Sequence, residues 1–340
     1  MGKTPGILNN KTIYPLILAL SLATLNPEPH RKRIIILTEQ KYLRGKLLQT
    51  HPLKADFILI LVTLLAAASW IFSKEALMGI TPLLFVGIRF LTAGLLLGIL
   101  AAPELHKFQK RDLLRTALVG VVFGCAVISW ILALLHSNNL GVGAFLTSLG
   151  IVLAPLVARV FGEPVPPSTW HSLPLAVLGL GFLTLNNGFS VNSGDMAFLW
   201  AALFFAIHFY LNSRAASRTP AIALTSVQLM MVGIIALPLS LIYEGWHISI
   251  PQAIWGWIIA SIIFATGLRF LLQTWAQGMA PVSHVALIMI LEPIWVAILA
   301  AWWFHEQMSI MQIIGCTLIF TALLLSRWRQ LNPRISLAKA

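Results

Sequence analysis

Ten apolar stretches lie between Asp56 and Arg327, and each is long enough to cross a lipid bilayer. A hydrocarbon core of about 30 Å requires about 20 mostly apolar residues in a helix. Because lipid offers no hydrogen bonds to an unpaired backbone, such spans form helices. The sequence therefore predicts an all-α integral membrane protein with ten transmembrane helices. The spans are expected at residues 56–74, 82–101, 112–135, 140–161, 170–187, 194–213, 221–243, 252–275, 281–304 and 309–327.

The composition supports a membrane protein and excludes several other classes. Hydrophobic residues make up 58% of the chain and charged residues only 10%, which is far from the composition of a soluble globular protein. The formal net charge is +12, but the basic residues lie at the termini and between the spans, and they form no nucleic-acid-binding motif. We therefore expect no nucleic-acid partner.

The distribution of basic residues predicts the orientation of the spans. One set of alternate loops, together with both termini, carries nearly all Lys and Arg residues, whereas the other set carries only Lys74. Since positively charged loops remain in the cytoplasm, both termini are expected to be cytoplasmic. The loops on the outer side are then those near Asn138, Asn187, Glu244 and Gln307.

Residues 1–50 do not follow the pattern of the spans. The apolar run from Ile13 to Leu25 is short for a transmembrane helix, and it is followed by the basic stretch from His30 to Arg33. We interpret this segment as a basic N-terminal extension that is disordered or lies on the membrane surface. A signal peptide and an overextended translation start are the alternatives.

The chain contains an internal repeat. Residues 133–163 align without a gap with residues 276–306, and eight aligned positions are identical. A chain rich in Ala and Leu gives some identical positions by chance, and the match of Glu163 with Glu306 is the one that this composition explains least. Because each half then holds five spans, an odd number, the two halves must be inverted relative to each other, as in secondary transporters. The sequence thus predicts two inverted five-helix repeats that alternately open a central cavity.

An ordered set of residues follows the spans of both halves. It comprises Trp70 with Ser73 and Lys74, Arg89 with Phe90 and Ala93, Phe145 to Thr147 with Pro155, Gly162 and Glu163, Leu199 with Ala202 and Ala206, Glu292 and Pro293 through Phe304 and Glu306, and Gln312 with Gly315. With the count of spans, this set resembles the EamA-type branch of the drug/metabolite transporter superfamily over about residues 56–327. The two repeats are then expected at residues 52–188 and 194–327, with a cytoplasmic tail at 328–340.

The resemblance implies a carrier, often an exporter, of small organic solutes such as amino acids, metabolites or drugs. It also implies a location in the cell (cytoplasmic or inner) membrane. We expect a monomer or homodimer that needs the lipid bilayer and its solute, with protons as a candidate coupling ion. We expect neither a cofactor nor a metal.

Three ionisable residues within the spans are candidates for function, because charge in a membrane is costly unless it is paired or wet. Arg89 either contacts a solute anion or carboxylate in a central cavity or makes a structural tie to a carbonyl or acid near the outer leaflet. Arg269 lies nearer the end of its span, which favours extension toward the lipid headgroups. Glu292 precedes Pro293, whose missing N–H leaves a carbonyl unpaired. Glu292 is therefore either a proton carrier or solute-ammonium contact, or a neutral acid that stabilises a kink.

Polar and aromatic groups in other spans complete the predicted site. His208 titrates near neutrality in water and is a second candidate for proton coupling, although a bond to a neighbouring carbonyl is equally consistent. Tyr210 lies on the same span. Trp70, Trp130 and Gln273 have comparable depths and predict an aromatic-walled cavity with one amide. The predicted solute-binding residues are Trp70, Arg89, Trp130, His208, Tyr210, Gln273 and Glu292.

Two other classes of protein compete with a carrier. A polytopic membrane enzyme acting on a lipid-linked substrate would need a catalytic motif, but His305-Glu306 is followed by Ser309 where a zinc protease has its second His. No Gly-x-Ser-x-Gly or Walker motif is present either. A receptor or scaffold would need a large soluble region, for which only residues 1–50 are available. We therefore expect a transporter and not an enzyme.

Overall fold

The computed structural model describes residues 52–136, 140–185, 196–245, 250–303, 305 and 309–331. Within these ranges every regular element is helical, which confirms the all-α prediction there. The basic extension at residues 1–50 and Glu306 lie outside the described residues. The main helices are α1 (Pro52–Ala76), α2 (Pro82–Leu100), α3 (Lys110–His136), α4 (Leu140–Val160), α5 (Pro167–Thr184), α6 (Met196–Ala216), α7 (Ala221–Tyr243), α8 (Gln252–Met279), α9 (Val282–Trp303) and α10 (Ile310–Leu331).

Seven of these helices are long and apolar enough to cross a membrane, namely α1, α2, α3, α6, α7, α8 and α9. Two others contain shorter apolar stretches, Phe145–Val160 in α4 and Ile310–Leu325 in α10. The chain is therefore a multi-pass membrane protein. The count of ten spans remains a prediction for α4, α5 and α10.

Proline determines where many of the helices begin. Proline lacks the N–H that the first helical turn leaves unpaired, and its fixed φ suits that position. Six helices of the described chain begin at a proline or directly after one: Pro52, Pro82, Pro167, Pro220, Pro251 and Pro281. The helix boundaries are thus encoded locally, by residues that cannot continue a preceding helix.

The packing of the helices has an internal symmetry. The most extensive contacts join α2 to α7 and α5 to α10, and α4 also packs on α9. In addition, α1 packs on α8 and α9, while α6 packs on α3 and α4. If α1–α5 are taken to correspond to α6–α10 in order, the pairs α2–α7, α4–α9 and α5–α10 each join a helix to its own counterpart. The pairs α1–α8 and α1–α9 then correspond to α6–α3 and α6–α4. Two halves that bury the same faces produce this pattern.

Close glycine contacts show that corresponding helices run in opposite directions. A Cβ at Gly87 would meet Leu237, whereas one at Gly94 would lie 2.6 Å from the backbone nitrogen of Met230. As the chain advances along α2, the contact therefore moves backwards along α7. The α2–α7 pair is antiparallel, as an inverted repeat requires.

Two helices are irregular near their midpoints. In α8, the π-helical segment Ser261–Leu268 separates α-helical Gln252–Ala260 from Arg269–Met279. In α9, the helix ends at Met289 and resumes at Glu292. Pro293 cannot donate a backbone hydrogen bond to the preceding turn, which explains the interruption. Such irregularities are frequent at functional sites, and broken helices line the binding sites of many secondary transporters.

Candidate functional site

An ion pair joins the two irregular helices. Nη2 of Arg269 lies 3.3 Å from Oε2 of Glu292, and the side chains are 16% and 17% exposed. Arg269 follows the π-helical segment of α8, and Glu292 is the first residue after the break in α9. Glu292 is the eleventh of the 22 residues from Val282 to Trp303, so the pair lies near the middle of the span. Arg269 thus pairs within the bundle, contrary to the expectation that it extends toward the headgroups.

Unpaired polar atoms flank this ion pair. Within the described residues, Nε of Arg269, Oε1 of Gln273 and Nε1 of Trp295 are buried without a hydrogen-bond partner. Gln273 lies one helical turn beyond Arg269 on α8, and Trp295 one turn beyond Glu292 on α9, so each shares a face with a member of the pair. Three of the nine buried side-chain atoms without a hydrogen-bond partner in the described part of the chain thus lie at or beside the ion pair.

Arg89 is held in a different way, by hydroxyl groups of two other helices. Its Nε donates to Oγ1 of Thr266 at 2.6 Å, Nη1 to Oγ of Ser73 at 3.0 Å, and Nη2 to Oγ of Ser69 at 3.2 Å. The side chain is 7% exposed. These bonds fasten α2 to α1 and α8 through hydroxyl groups, whereas a structural Arg89 was expected to contact a carbonyl or an acid.

A second polar network connects α6, α7 and α8. Nε2 of His208 lies 2.7 Å from Oε1 of Gln228, whose Nε2 donates to Oδ1 of Asn212 at 2.8 Å. Nδ2 of Asn212 donates in turn to Oγ1 of Thr274 at 3.2 Å and to Oε1 of Gln277. An amide oxygen only accepts, so His208 is the donor at Nε2. All five side chains are buried, and the network links three helices.

The two networks occupy corresponding places in the two halves. Arg89 bonds to Ser69 and Ser73, one turn apart on α1. Gln228 bonds to His208 and Asn212, one turn apart on α6. The three corresponding pairs, Ser69 with His208, Ser73 with Asn212, and Arg89 with Gln228, all have the same spacing along the chain. The same connection between the first and second helices of each half is thus made once with a cation and once with an amide.

Aromatic rings separate the arginines from the His208 network. The ring of Phe123 stacks on His208 with centroids 4.2 Å apart and also contacts Phe270 at 5.1 Å and Phe90 at 5.7 Å. Phe270 lies beside Arg269, whose guanidinium is 4.8 Å from the ring centre. The polar groups therefore lie in predominantly apolar surroundings, as is usual for sites that bind small molecules.

The structure brings together some of the predicted site residues and separates others. Trp70 and Trp130 meet edge to face, with ring centroids 6.2 Å apart. Tyr210 stacks on Phe161, and its hydroxyl accepts a hydrogen bond from Arg214. Tyr210 therefore belongs to contacts at the end of α4 and α6, and it does not join the His208 network.

Sequence reasoning misses several members of these clusters. The position of Arg269 in its span favours the lipid interface, which is not where the structure places its side chain. Gln228 is a polar residue in an apolar span, and it follows Arg89 at the same spacing as His208 follows Ser69, so the repeat could have revealed it. Thr274 and Gln277 give no signal, because polar residues near a span end are common. Within the described ranges, no three His, Cys, Asp or Glu side chains are grouped as metal ligands.

Comparisons with known proteins agree with this architecture. A family model described as the EamA-like transporter family matches two parts of the chain, residues 53–185 and 192–328. An uncharacterised transporter of Archaeoglobus fulgidus is 25% identical over 277 residues, which cover 80% of this chain and 85% of the relative. The uncharacterised transporter YvbV of Bacillus subtilis is 26% identical over 289 residues, covering 82% and 92%. A protein of known crystal structure is similar in fold, with a TM-score of 0.70 at 19% identity, covering 82% of this chain and 98% of that protein.

Proposed function

Because the chain belongs to the EamA-like transporter family, we propose that this membrane transporter is a secondary active or facilitative exporter of small organic solutes such as amino acids, metabolites or drugs. Its relatives are named as transporters, so it is not an enzyme, and the alternative of a lipid-processing enzyme loses its support. The direction of transport and the class of solute belong to the proposal.

The observation that carries the proposal is the mid-span ion pair between Arg269 and Glu292. A charged pair in a membrane is costly and is usually retained for function. Here it lies directly after the π-helical segment of α8 and the break in α9, and Gln273 and Trp295, one turn from its two members, each have an unpaired polar atom. A solute that offers charge and hydrogen bonds would satisfy these groups.

The proposed mechanism is alternating access by two inverted halves of five helices each. The antiparallel α2–α7 pair and the exchange symmetry of the helix contacts support this arrangement. In the proposed topology all ten helices span the cytoplasmic membrane and both termini are cytoplasmic. The solute site lies between the halves near the bilayer midplane.

Protons are the proposed coupling ion, with Glu292 and His208 as candidates for the proton-carrying groups. Glu292 exchanges partners most readily, because a single contact of 3.3 Å holds it to Arg269. His208 is 5% exposed and bonded to Gln228. A proton reaches it only when α6 and α7 move relative to their neighbours.

Counterflow in proteoliposomes tests the proposed function. The full chain is reconstituted and preloaded in turn with amino acids, other metabolites and cationic dyes, and exchange of the labelled solute is followed with and without a pH gradient. Exchange specific to one class, faster with an imposed gradient, is the expected result. Absence of exchange of every solute by protein that elutes as a single folded species would contradict a carrier.

A further inference from the structure

Buried Arg89 and partly buried Arg269 differ in how firmly their side chains are held. Arg89 donates three hydrogen bonds to hydroxyl groups, and two of these hydroxyls are fixed themselves. Ser73 donates to the carbonyl of Ser69 at 2.6 Å, and Thr266 donates to the carbonyl of Ser261 at 2.9 Å. Displacing the Arg89 guanidinium would therefore break a closed network. A solute gains little from a donor group whose partners it must first replace.

Arg269 is held loosely by comparison. Its single contact with Glu292 is 3.3 Å long, whereas well-formed guanidinium–carboxylate bonds are about 2.7–2.9 Å and frequently bidentate. Nε of Arg269 has no partner in the described part of the chain. A carboxylate that approaches Arg269 therefore finds both an unused donor and a weakly bound competitor.

The inverted repeat separates scaffold contacts from specific ones. The bridge made by Arg89 recurs in the other half as the bridge made by Gln228, so this connection belongs to the common scaffold. The ion pair does not recur. In the gapless alignment of residues 133–163 with 276–306, Leu149 corresponds to Glu292, so the first half has no acid at the position of Glu292. A charged pair that only one half possesses is not required by the fold of the repeat.

The charges around the ion pair do not balance. The guanidinium groups of Arg89 and Arg269 lie over the rings of Phe90 and Phe270, and the centroids of these two rings are 5.8 Å apart. Among the described residues, Glu292 is the one acid that contacts either arginine. A zwitterionic solute leaves this excess of one positive charge unchanged, and its carboxylate can take the place of Glu292 beside Arg269. If Glu292 then releases Arg269, it is free to accept a hydrogen bond from an ammonium group.

We propose that Arg269, and not Arg89, determines specificity by binding the carboxylate of the solute, while Glu292 binds its ammonium group. The solute class is thus a zwitterion such as an amino acid, and binding replaces one intramolecular ion pair with two pairs to the solute. The Oε1 atom of Gln273, unpaired and one turn from Arg269, accepts a further hydrogen bond from the ammonium group. This inference rests on the proposed transport function.

The test compares solutes that differ in one charged group. Alanine, leucine and phenylalanine are each used with their amides, which lack the carboxylate, and with their N-acetyl derivatives, which lack the ammonium. The wild-type chain is expected to exchange at least one amino acid about tenfold or more faster than either derivative, since each charge-assisted contact is worth at least that factor.

The variants assign the preference to particular residues. Arg269→Gln is expected to lose the preference over the amide and keep most of that over the N-acetyl derivative, and Glu292→Gln is expected to do the reverse. Arg89→Gln introduces the glutamine that stands at the corresponding position of the second half, Gln228. The exchange that this variant retains should keep the preference over the amide and the preference over the N-acetyl derivative. Arg269→Lys, which keeps the charge and removes the planar fork, replaces Arg269→Gln if that variant fails to fold, and is expected to weaken the preference over the amide.

Several results would overturn the inference without touching the proposed function. One is an unchanged preference over the amide in folded Arg269→Gln or Arg269→Lys. Another is loss of that preference in Arg89→Gln alone. Wild-type exchange of other solutes but of no amino acid would also reject a zwitterion. A wild-type chain that exchanges no solute in the wider panel would instead reject the transport function itself.

Discussion

Glu244 is expected to stabilise the bundle by capping α2, a helix that lies far before it in the chain. Its Oε1 accepts a hydrogen bond from the backbone N–H of Leu83 at 2.7 Å, and its Oε2 accepts one from that of Leu84 at 3.0 Å. Oε2 also accepts hydrogen bonds from the hydroxyls of Thr81 at 2.6 Å and Ser240 at 2.9 Å. Thr81, the N-cap residue of α2, makes no capping bond with its own side chain. Glu244, which follows α7, therefore provides the cap.

The size of the effect follows from these contacts. Hydrogen bonds to a charged group contribute about 1.5–3 kcal/mol each, and a negative charge at a helix N-terminus adds about 0.3–1 kcal/mol. Because the site is partly exposed, water compensates part of the loss, and we expect Glu244→Ala to lower the free energy of unfolding by about 2–4 kcal/mol. For a chain of 340 residues this corresponds to a fall in Tm of roughly 3–6 °C.

Thermal unfolding of the purified chain in detergent measures this change. Glu163→Ala is the matched control, because Glu163 also follows a long helix and its carboxylate caps no other helix within the described chain. The control should shift Tm by less than about 1 °C, as surface substitutions usually do. Equal shifts for Glu244→Ala and Glu163→Ala would refute the capping role. Glu244→Gln, which keeps the shape and loses the charge, should fall between them.

Three further predictions concern packing, the buried network and coupling. Gly94→Ala should destabilise the fold by about 1–3 kcal/mol in the same unfolding assay, because the new Cβ would lie 2.6 Å from the α7 backbone. Gly98→Ala is the control and should be nearly neutral, because its Cβ would meet a Met side chain at 3.7 Å. Asn212→Ala should lower the free energy of unfolding by about 1–3 kcal/mol, because it removes three interhelical hydrogen bonds. The control is Thr321→Ala, which removes a hydrogen bond to a carbonyl of the same helix. Glu292→Gln should leave the chain folded in the membrane and remove the response of exchange to a pH gradient, and an unchanged response would exclude Glu292 as the proton carrier.

Local properties of the sequence determined the class of fold. The free energy of placing a segment in lipid depends on about 20 consecutive residues, so it can be read without knowing what the segment contacts. Helix starts at proline and the interruption beside Pro293 are local for the same reason. The repeat was also readable, because two halves that bury the same faces keep similar patterns of apolar residues. Glu292 could be found since an acid beside a proline in mid-span is unusual.

The tertiary structure decided which polar groups meet. Whether Arg269 faces the headgroups or Glu292 depends on the rotation of α8 about its axis, and this rotation results from packing along the whole helix. In the same way, Arg89 reaches three hydroxyls because α1 and α8 both pack beside α2. The close approach at Gly94 sets the separation of α2 and α7. Partners of this kind lie far apart in the chain, as Arg89 and Thr266 do, and no local pattern specifies them, because each contact is the sum of many packing interactions made elsewhere.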